Sequence, residues 1–160
     1  MDIVLAGKAL YVGISRWPLE ALKVAEKYLR ERDVPLFIYQ GKLNMLDREP
    51  LEEGILDFCE EKRIGFISFS PLAQGLLTDR YLNGIPKDSR MTRRAECLAP
   101  ANLTPEYMQM IQDMKAEADA KGKTIAELAL AWVLKQKAVT SVLVGASSKE
   151  QLAANIRCIR

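Results

Sequence analysis

The stretch Ile64–Tyr81 reads Ile-Gly-Phe-Ile-Ser-Phe-Ser-Pro-Leu-Ala-Gln-Gly-Leu-Leu-Thr-Asp-Arg-Tyr, and it holds the residue types that an anion site needs. Gly65 to Phe69 is a short apolar run with the character of a buried strand. Ser70-Pro71 breaks it, because proline has no N–H with which to continue a ladder. Beyond the break lie the backbone N–H groups around Leu72 to Gly75, the hydroxyls of Ser70 and Thr78, and the guanidinium of Arg80. Donors of this kind suit a phosphate. Arg90 adds a second base to the same long loop.

Similar polar turns follow other apolar runs: Ser15-Arg16, Gln40 and Gly145-Ala146-Ser147. Gln40 can donate and accept, as a carboxamide ligand requires, and Phe69 offers an aromatic face. Ser148 is placed to cap a last helix, whose N-terminus carries partial positive charge. Gln151 and Asn155 fall four apart on one face of that helix. Together these groups describe a phosphorylated, amide-bearing cofactor better than an apolar ligand.

The elements that must position them alternate in type. Ala9–Ile14 is expected as a strand ending at Ser15, then a helix from Pro18 to Arg32 with Pro18 at its first position. A second strand, Leu36–Tyr39, ends at Gln40, and a helix from Leu51 to about Lys62 follows the loop Gly41–Pro50. After the strand Gly65–Phe69, the segment Pro71–Leu103 is long and irregular, as functional or disordered segments are. Thr104-Pro105 starts a helix that Gly122 stops after about Lys121. Thr124-Ile125-Ala126-Glu127 is a capping box for a helix to about Gln136. A fourth strand, Ser141–Gly145, leads into the helix from Lys149. Apolar strands each followed by helix predict an α/β fold with a parallel sheet. A (β/α) barrel and a doubly wound sheet both fit, and in both the carboxyl ends of the strands share one face where ligands bind.

Composition narrows the function classes. The 160 residues suit one domain, and the hydrophobic share of 49% with 28% charged is that of an ordinary soluble chain. A net charge of +2, with 23 bases against 21 acids, gives no field for nucleic acid or an anionic membrane. Three cysteines (Cys59, Cys97, Cys158) at wide spacing and no histidine argue against structural zinc or a disulfide framework and suggest reduced thiols. Met1–Gly7 lacks the basic segment and apolar length of a signal or membrane span, so a cytosolic, cytoplasmic chain is expected. Gly13-Ile14-Ser15-Arg16-Trp17 lacks the second glycine of a nucleophile elbow, and no histidine exists to activate the serine. The acid pairs Glu52-Glu53 and Glu60-Glu61 read as solvated helix faces.

Three segments in order resemble the aldo-keto reductase family: Gly-Lys-Ala-Leu-Tyr-Val-Gly-Ile-Ser from Gly7, Phe-Ser-Pro-Leu-Ala-Gln-Gly-Leu-Leu-Thr from Phe69, and Ser-Val-Leu-Val-Gly-Ala-Ser from Ser141. Within the family the chain is most similar to the branch of bacterial glyceraldehyde-3-phosphate and methylglyoxal reductases and potassium-channel beta subunits. Ser15-Arg16-Trp17 is especially similar to the channel subunits. The resemblance implies the C-terminal half, strands five to eight, of a (β/α)8 TIM barrel that binds NADPH at the carboxyl ends of its strands. It implies that Ser15, Arg16 and Gln40 hold the nicotinamide amide and that Phe69 stacks on the ring. Ser70, Leu72 and Gly75 match the pyrophosphate loop, Arg80 and Arg90 basic phosphate contacts, and Gly145, Ser147, Gln151 and Asn155 the adenosine-phosphate end. Ala154 stands where the family usually has an adenine-contacting glutamate, and Leu43 where a tyrosine is common.

The family's catalytic Asp, Tyr, Lys and His sit on its first four strands, so no position here inherits those roles. The resemblance therefore implies an NADPH-dependent carbonyl reductase half, inactive alone, that reduces a small aldehyde or ketone when completed. A non-catalytic NADPH-binding or interaction module like the channel subunits, or an unproductive truncated product, is the alternative. Half a barrel leaves two unpaired strand edges, which predicts self-association, pairing with a complementary half, or poor folding.

Overall fold

The computed structural model of the chain describes residues 2–93 and 98–159, and at Arg90 and Arg93 it describes the backbone alone. The thiol of Cys97 thus lies outside the described residues, while Cys59 and Cys158 are free. The elements are α1 (Asp2–Leu5), β1 (Val12–Ser15), α2 (Leu19–Arg30), β2 (Leu36–Lys42), α3 (Glu49–Glu52), α4 (Ile55–Lys62), β3 (Gly65–Phe69), α5 (Arg90–Arg93), α6 (Pro105–Ala120), α7 (Ile125–Leu134), β4 (Val139–Val142) and α8 (Lys149–Ile156). Two compact units divide them. A sheet unit comprises Met1–Leu43, Asp47–Phe69 and Val133–Leu143; a loop-and-helix unit comprises Asn44–Leu46, Ser70–Trp132 and Val144–Arg160.

In the sheet unit the strands lie in the order β1-β2-β3-β4 and every pair is parallel. The order runs without the reversal that defines a doubly wound sheet. Period-two alternation puts Tyr39, Phe66 and Ser68 on one face and Ile38, Gln40, Ile67 and Phe69 on the other. Tyr39 and Phe66 are buried and stack with centroids 5.6 Å apart. Leu22 and Leu29 of α2 and Ile55, Leu56 and Cys59 of α4 are buried in the same unit. Burial pushes the Cys59 thiol up to about 12, which leaves it unreactive near neutrality.

Neighbouring strands, rather than the local sequence, decide where each strand stops. β1 begins at Val12 and not at Ala9, because its first partner is Leu36, the residue after Pro35. β2 runs past Gln40 to Lys42, since Gly41 pairs with Ser68 and Lys42 with Phe69. β4 spans Val139–Val142 and not Ser141–Gly145: its ladder starts where Phe66 meets Val139 and its last pair is Val142 with Ser68. Gly145 therefore lies beyond the strand. Pro18 is the N-cap of α2, extended at φ −65° and ψ 155°, one position before the place expected for it. The helix expected from Leu51 is two, α3 and α4, divided by Gly54 at φ 78°.

The loop-and-helix unit has its own core, in which Leu77, Tyr81, Ile111, Ala118, Ile125 and Ala129 are fully buried. Its helix starts follow the sequence closely. Thr104 Oγ1 accepts from Tyr107 N at 3.1 Å, and the Thr124–Glu127 box closes in both directions. The Tyr107 hydroxyl donates to Leu76 O at 2.7 Å, tying α6 to the loop that follows β3. That loop is not structureless: it contains 3₁₀ turns at Ala73–Gly75 and Asp79–Tyr81, then α5. Among the described residues no helix is long and apolar enough to cross a membrane.

Candidate functional site

In the sheet unit three of the candidate residues come together. Ser15 ends β1 and pairs with Gln40, which has Ile67 on its other side. The next residue, Arg16, sits at φ 58° and donates its N–H to Gln40 O at 3.1 Å. The turn after β1 is pinned by Tyr39, which no sequence pattern singles out and whose hydroxyl donates to Trp17 O at 2.8 Å. Ser15 and Arg16 are exposed, while Gln40 and Phe69 are half-buried. Tyr39 is no acid near neutrality: burial, followed by the electrostatic effects of Cys59, Glu49 and Glu53, pushes it up to about 12, against a smaller opposing effect of Arg16.

In the other unit the Ser70–Gly75 turn is held under strain. Ser70 (φ 51°), Ala73 (φ 45°), Gln74 (φ 60°) and Gly75 (φ 105°) all lie in the left-handed half of backbone space. For residues with a Cβ such conformations cost roughly 1–3 kcal/mol each and persist only where surroundings enforce them. The enforcement is visible. Asn44, fully buried, donates from Nδ2 to Ser70 O at 3.0 Å, and its Oδ1 accepts from Leu46 N. Ala73 N donates to Ser70 O and Gly75 N to Leu72 O, so those two N–H groups serve the turn itself. Gln74 Nε2 donates to Ser70 Oγ at 3.1 Å, and Thr78 Oγ1 donates to Gly75 O at 2.6 Å.

Two other non-glycine residues with positive φ among those described, Asp33 and Arg63, follow the ends of α2 and α4. Helices commonly end in this conformation. Arg16, Ser70, Ala73 and Gln74 follow strands instead, where no such helix-ending role applies.

The guanidinium of Arg80 is already paired, with Asp88 Oδ2 at 2.9 Å and Asp88 O at 3.1 Å, so an anion there would compete with a carboxylate. The Arg90 side chain lies outside the described part of the structure; its backbone opens α5. At the last helix, Ser148 caps α8 through Gln151 N, and Ser147 gives both its N–H and its hydroxyl to Gln151 Oε1, at 2.8 and 3.0 Å. Asn155, one turn on, is buried and its Nδ2 has no partner among the described residues. Asn155 is the penultimate residue of the eight-residue α8, so this unpaired donor lies toward the helix's C-terminal end, about two turns from the Ser148 cap.

The far end of α8 is anchored by an ion pair that sequence patterns do not reveal. Arg157 Nε meets Glu127 Oε1 at 2.9 Å, while Glu127 Oε2 accepts from Thr124 N and Oγ1. The Glu127 carboxyl is held below the usual range, first by the Thr124 N–H, against the opposing effect of burial, then by Arg157 and the Thr124 hydroxyl. A depressed folded-state value means stability present above the ordinary glutamate value of about 4.3 and lost as pH falls through the folded one. Glu127→Gln is therefore expected to cost about 1–2 kcal/mol at pH 7 from its weakened charge-assisted bonds, and less at pH 3. Urea melts at both values check this; parallel losses at the two would contradict it.

Comparison with known proteins places these features in context. Residues 1–160 match the family model described as "Aldo/keto reductase family". The chain is 44% identical over 159 residues to L-glyceraldehyde 3-phosphate reductase of Escherichia coli (strain K12), covering 98% of this chain and 46% of that protein. The protein of the same name from Escherichia coli O157:H7 matches to the same extent. A thermostable aldo-keto reductase solved with the inhibitor epalrestat shares the fold, with a TM-score of 0.70 at 23% identity, over 99% of this chain and 46% of that one. The chain thus spans about half the length of the relatives it matches.

Proposed function

Because the chain belongs to the aldo/keto reductase family, we propose that it is the cofactor-holding half of an NADPH-dependent carbonyl reductase domain, folded as half of a (β/α)8 barrel. When bound, the dinucleotide would supply the hydride for reduction of a small aldehyde or ketone. In the sheet unit, Ser15, Arg16 and Gln40 would hold the nicotinamide amide and Phe69 would lie against the ring. In the other unit, Ser70, Leu72 and Gly75 would meet the pyrophosphate. Gly145, Ser147, Gln151 and Asn155 would meet the adenosine phosphate, with Arg80 and Arg90 adding charge. The observation that supports this reading most is the Ser70–Gly75 turn, in which Ser70, Ala73, Gln74 and Gly75 take left-handed conformations in the loop after β3, since strain of this kind clusters at ligand sites.

The reading assigns binding to this chain and no proton transfer. The sequence has no histidine. Two of the three buried tyrosines, Tyr39 and Tyr107, donate to backbone carbonyls, and burial first pushes both up to about 12; the third, Tyr81, is packed in the core of the loop-and-helix unit. Carbonyl reduction would need acid groups supplied from outside this chain.

Titration of the chain with NADPH, followed by cofactor fluorescence, tests the reading. Saturable binding is expected, weakened several-fold by Ser147→Ala, since a hydrogen bond to a charged group is worth about 1.5–3 kcal/mol, less the neutral contact with Gln151 Oε1 that the hydroxyl gives up. Arg80→Ala is expected to matter less, because Asp88 already satisfies that guanidinium. Absence of saturable binding by the wild-type chain would sink the proposal, and turnover of methylglyoxal by the chain alone would overturn its non-catalytic part.

A further inference from the structure

The sheet has two open edges, and their character is independent of what the chain binds. β1 and β4 stand at opposite ends of the strand order, each with a single neighbour. They are equally short, four residues each. Neither Val12-Gly13-Ile14-Ser15 nor Val139-Thr140-Ser141-Val142 contains a proline or a charge. Lysines, prolines and inward charges are among the devices by which proteins keep edges from pairing, and both edges lack these, although each strand is short and has a register shift against its neighbour. Large apolar side chains are left exposed beside each: Leu10 at 81% and Tyr11 at 62% next to β1, Leu143 at 48% next to β4.

The sheet face opposite the Tyr39–Phe66 stack points to a specific occupant. Ile38 of β2 sits between Gly13 of β1 and Gly65 of β3, since a Cβ on either glycine would come within 2.7 Å of its side chain. Thr140 of β4 stands on the other side of Gly65, with Oγ1 3.1 Å from that Cβ position. The row therefore takes side chains from the second and fourth strands and glycines from the first and third. Closed eight-stranded barrels fill their interiors with layers of four side chains drawn from alternate strands. One copy of this sheet supplies two of the four, Ile38 and Thr140. Neighbouring Ile67 and Phe69 on this face remain only half-buried.

We propose that two copies of this chain associate edge to edge about a two-fold axis parallel to the strands. β4 of each copy then lies parallel to β1 of the other, which continues the alternation of glycine and side chain around an eight-stranded ring. Ile38 and Thr140 of both copies complete the layer. A two-fold pairing also leaves no edge free, which separates it from open-ended stacking.

Light scattering on the eluting full-length chain at high-micromolar concentration is expected to give twice the monomer mass. Ser141→Lys places a charge on the exposed face of β4 and is expected to halve that mass while the far-UV circular dichroism stays helical. Should that variant fail to fold, amide exchange of the wild type is the second measurement. Val12–Ser15 and Val139–Val142 are expected to slow together as the concentration rises. A monodisperse monomer, an open-ended series of masses, or a dimer whose two edges exchange as fast as in the dilute chain would each overturn the proposal.

Discussion

Phe66→Ala is expected to remove about 3–5 kcal/mol from the sheet unit, the range for truncating a buried phenylalanine. Against a total stability of roughly 5–15 kcal/mol for a domain, that is enough to leave a large unfolded fraction. Phe66 is fully buried, pairs in register with Tyr39 and stacks on its ring. The gap cannot be refilled from below, because Gly41 is the next residue on that face and has no side chain. A Cβ there would already lie 2.7 Å from Phe66 Cζ, which shows how tightly the ring fills its place. The effect also reaches the candidate site, since Tyr39 carries the hydroxyl that pins Trp17 O beside Arg16. Phe69→Ala, on the opposite and half-buried face, is the control and is expected to cost about 1 kcal/mol, in proportion to its smaller buried area. Urea denaturation of both variants checks the contrast. Equal losses would mean that the Tyr39–Phe66 face is not the packed one.

How much of this was legible beforehand depended on the reach of each interaction. The bounds of β3, Gly65–Phe69, are legible in the sequence because glycine and Ser-Pro bracket it locally. Thr104, Thr124 and Ser148 were read as helix starts, and their hydrogen bonds span three residues. The parallel sheet follows from apolar strands alternating with helices, and the family from three ordered motifs. The ends of β1, β2 and β4 were misread because they are fixed by partners from other parts of the chain, through pairs such as Val12 with Leu36 and Lys42 with Phe69. Asn44 escaped notice for the same reason: its partner, Ser70 O, is 26 residues away. The sequence showed Arg80 as a free base, but the fold brings Asp88 to it. An isolated sequence displays charges without their partners, so basic residues in loops are the class of site residue it most readily overstates.

Gly75→Val is expected to weaken NADPH binding by roughly 10- to 100-fold. Gly75 sits at φ 105°, a region that β-branched residues reach only as outliers. The space around it is not the obstacle, since the nearest atom to a Cβ there would be Tyr81 Cε2 at an ordinary 3.6 Å. The penalty is conformational, roughly 1–3 kcal/mol. It falls on the turn that Ser70 O, Leu72 O and Thr78 Oγ1 close. If the turn must hold this shape to meet the pyrophosphate, the penalty lowers the competent population and the apparent affinity by the same factor. Gly84→Val separates this from general damage. Gly84 has nearly the same φ, 104°, belongs to the same unit, and has nothing within 4 Å of a built Cβ, yet it is no part of the proposed site. Both variants are expected to lose similar stability in urea, and only Gly75→Val is expected to lose affinity. Equal affinity losses would show that the Ser70–Gly75 turn has no special part in binding, and the strain seen there would need another cause.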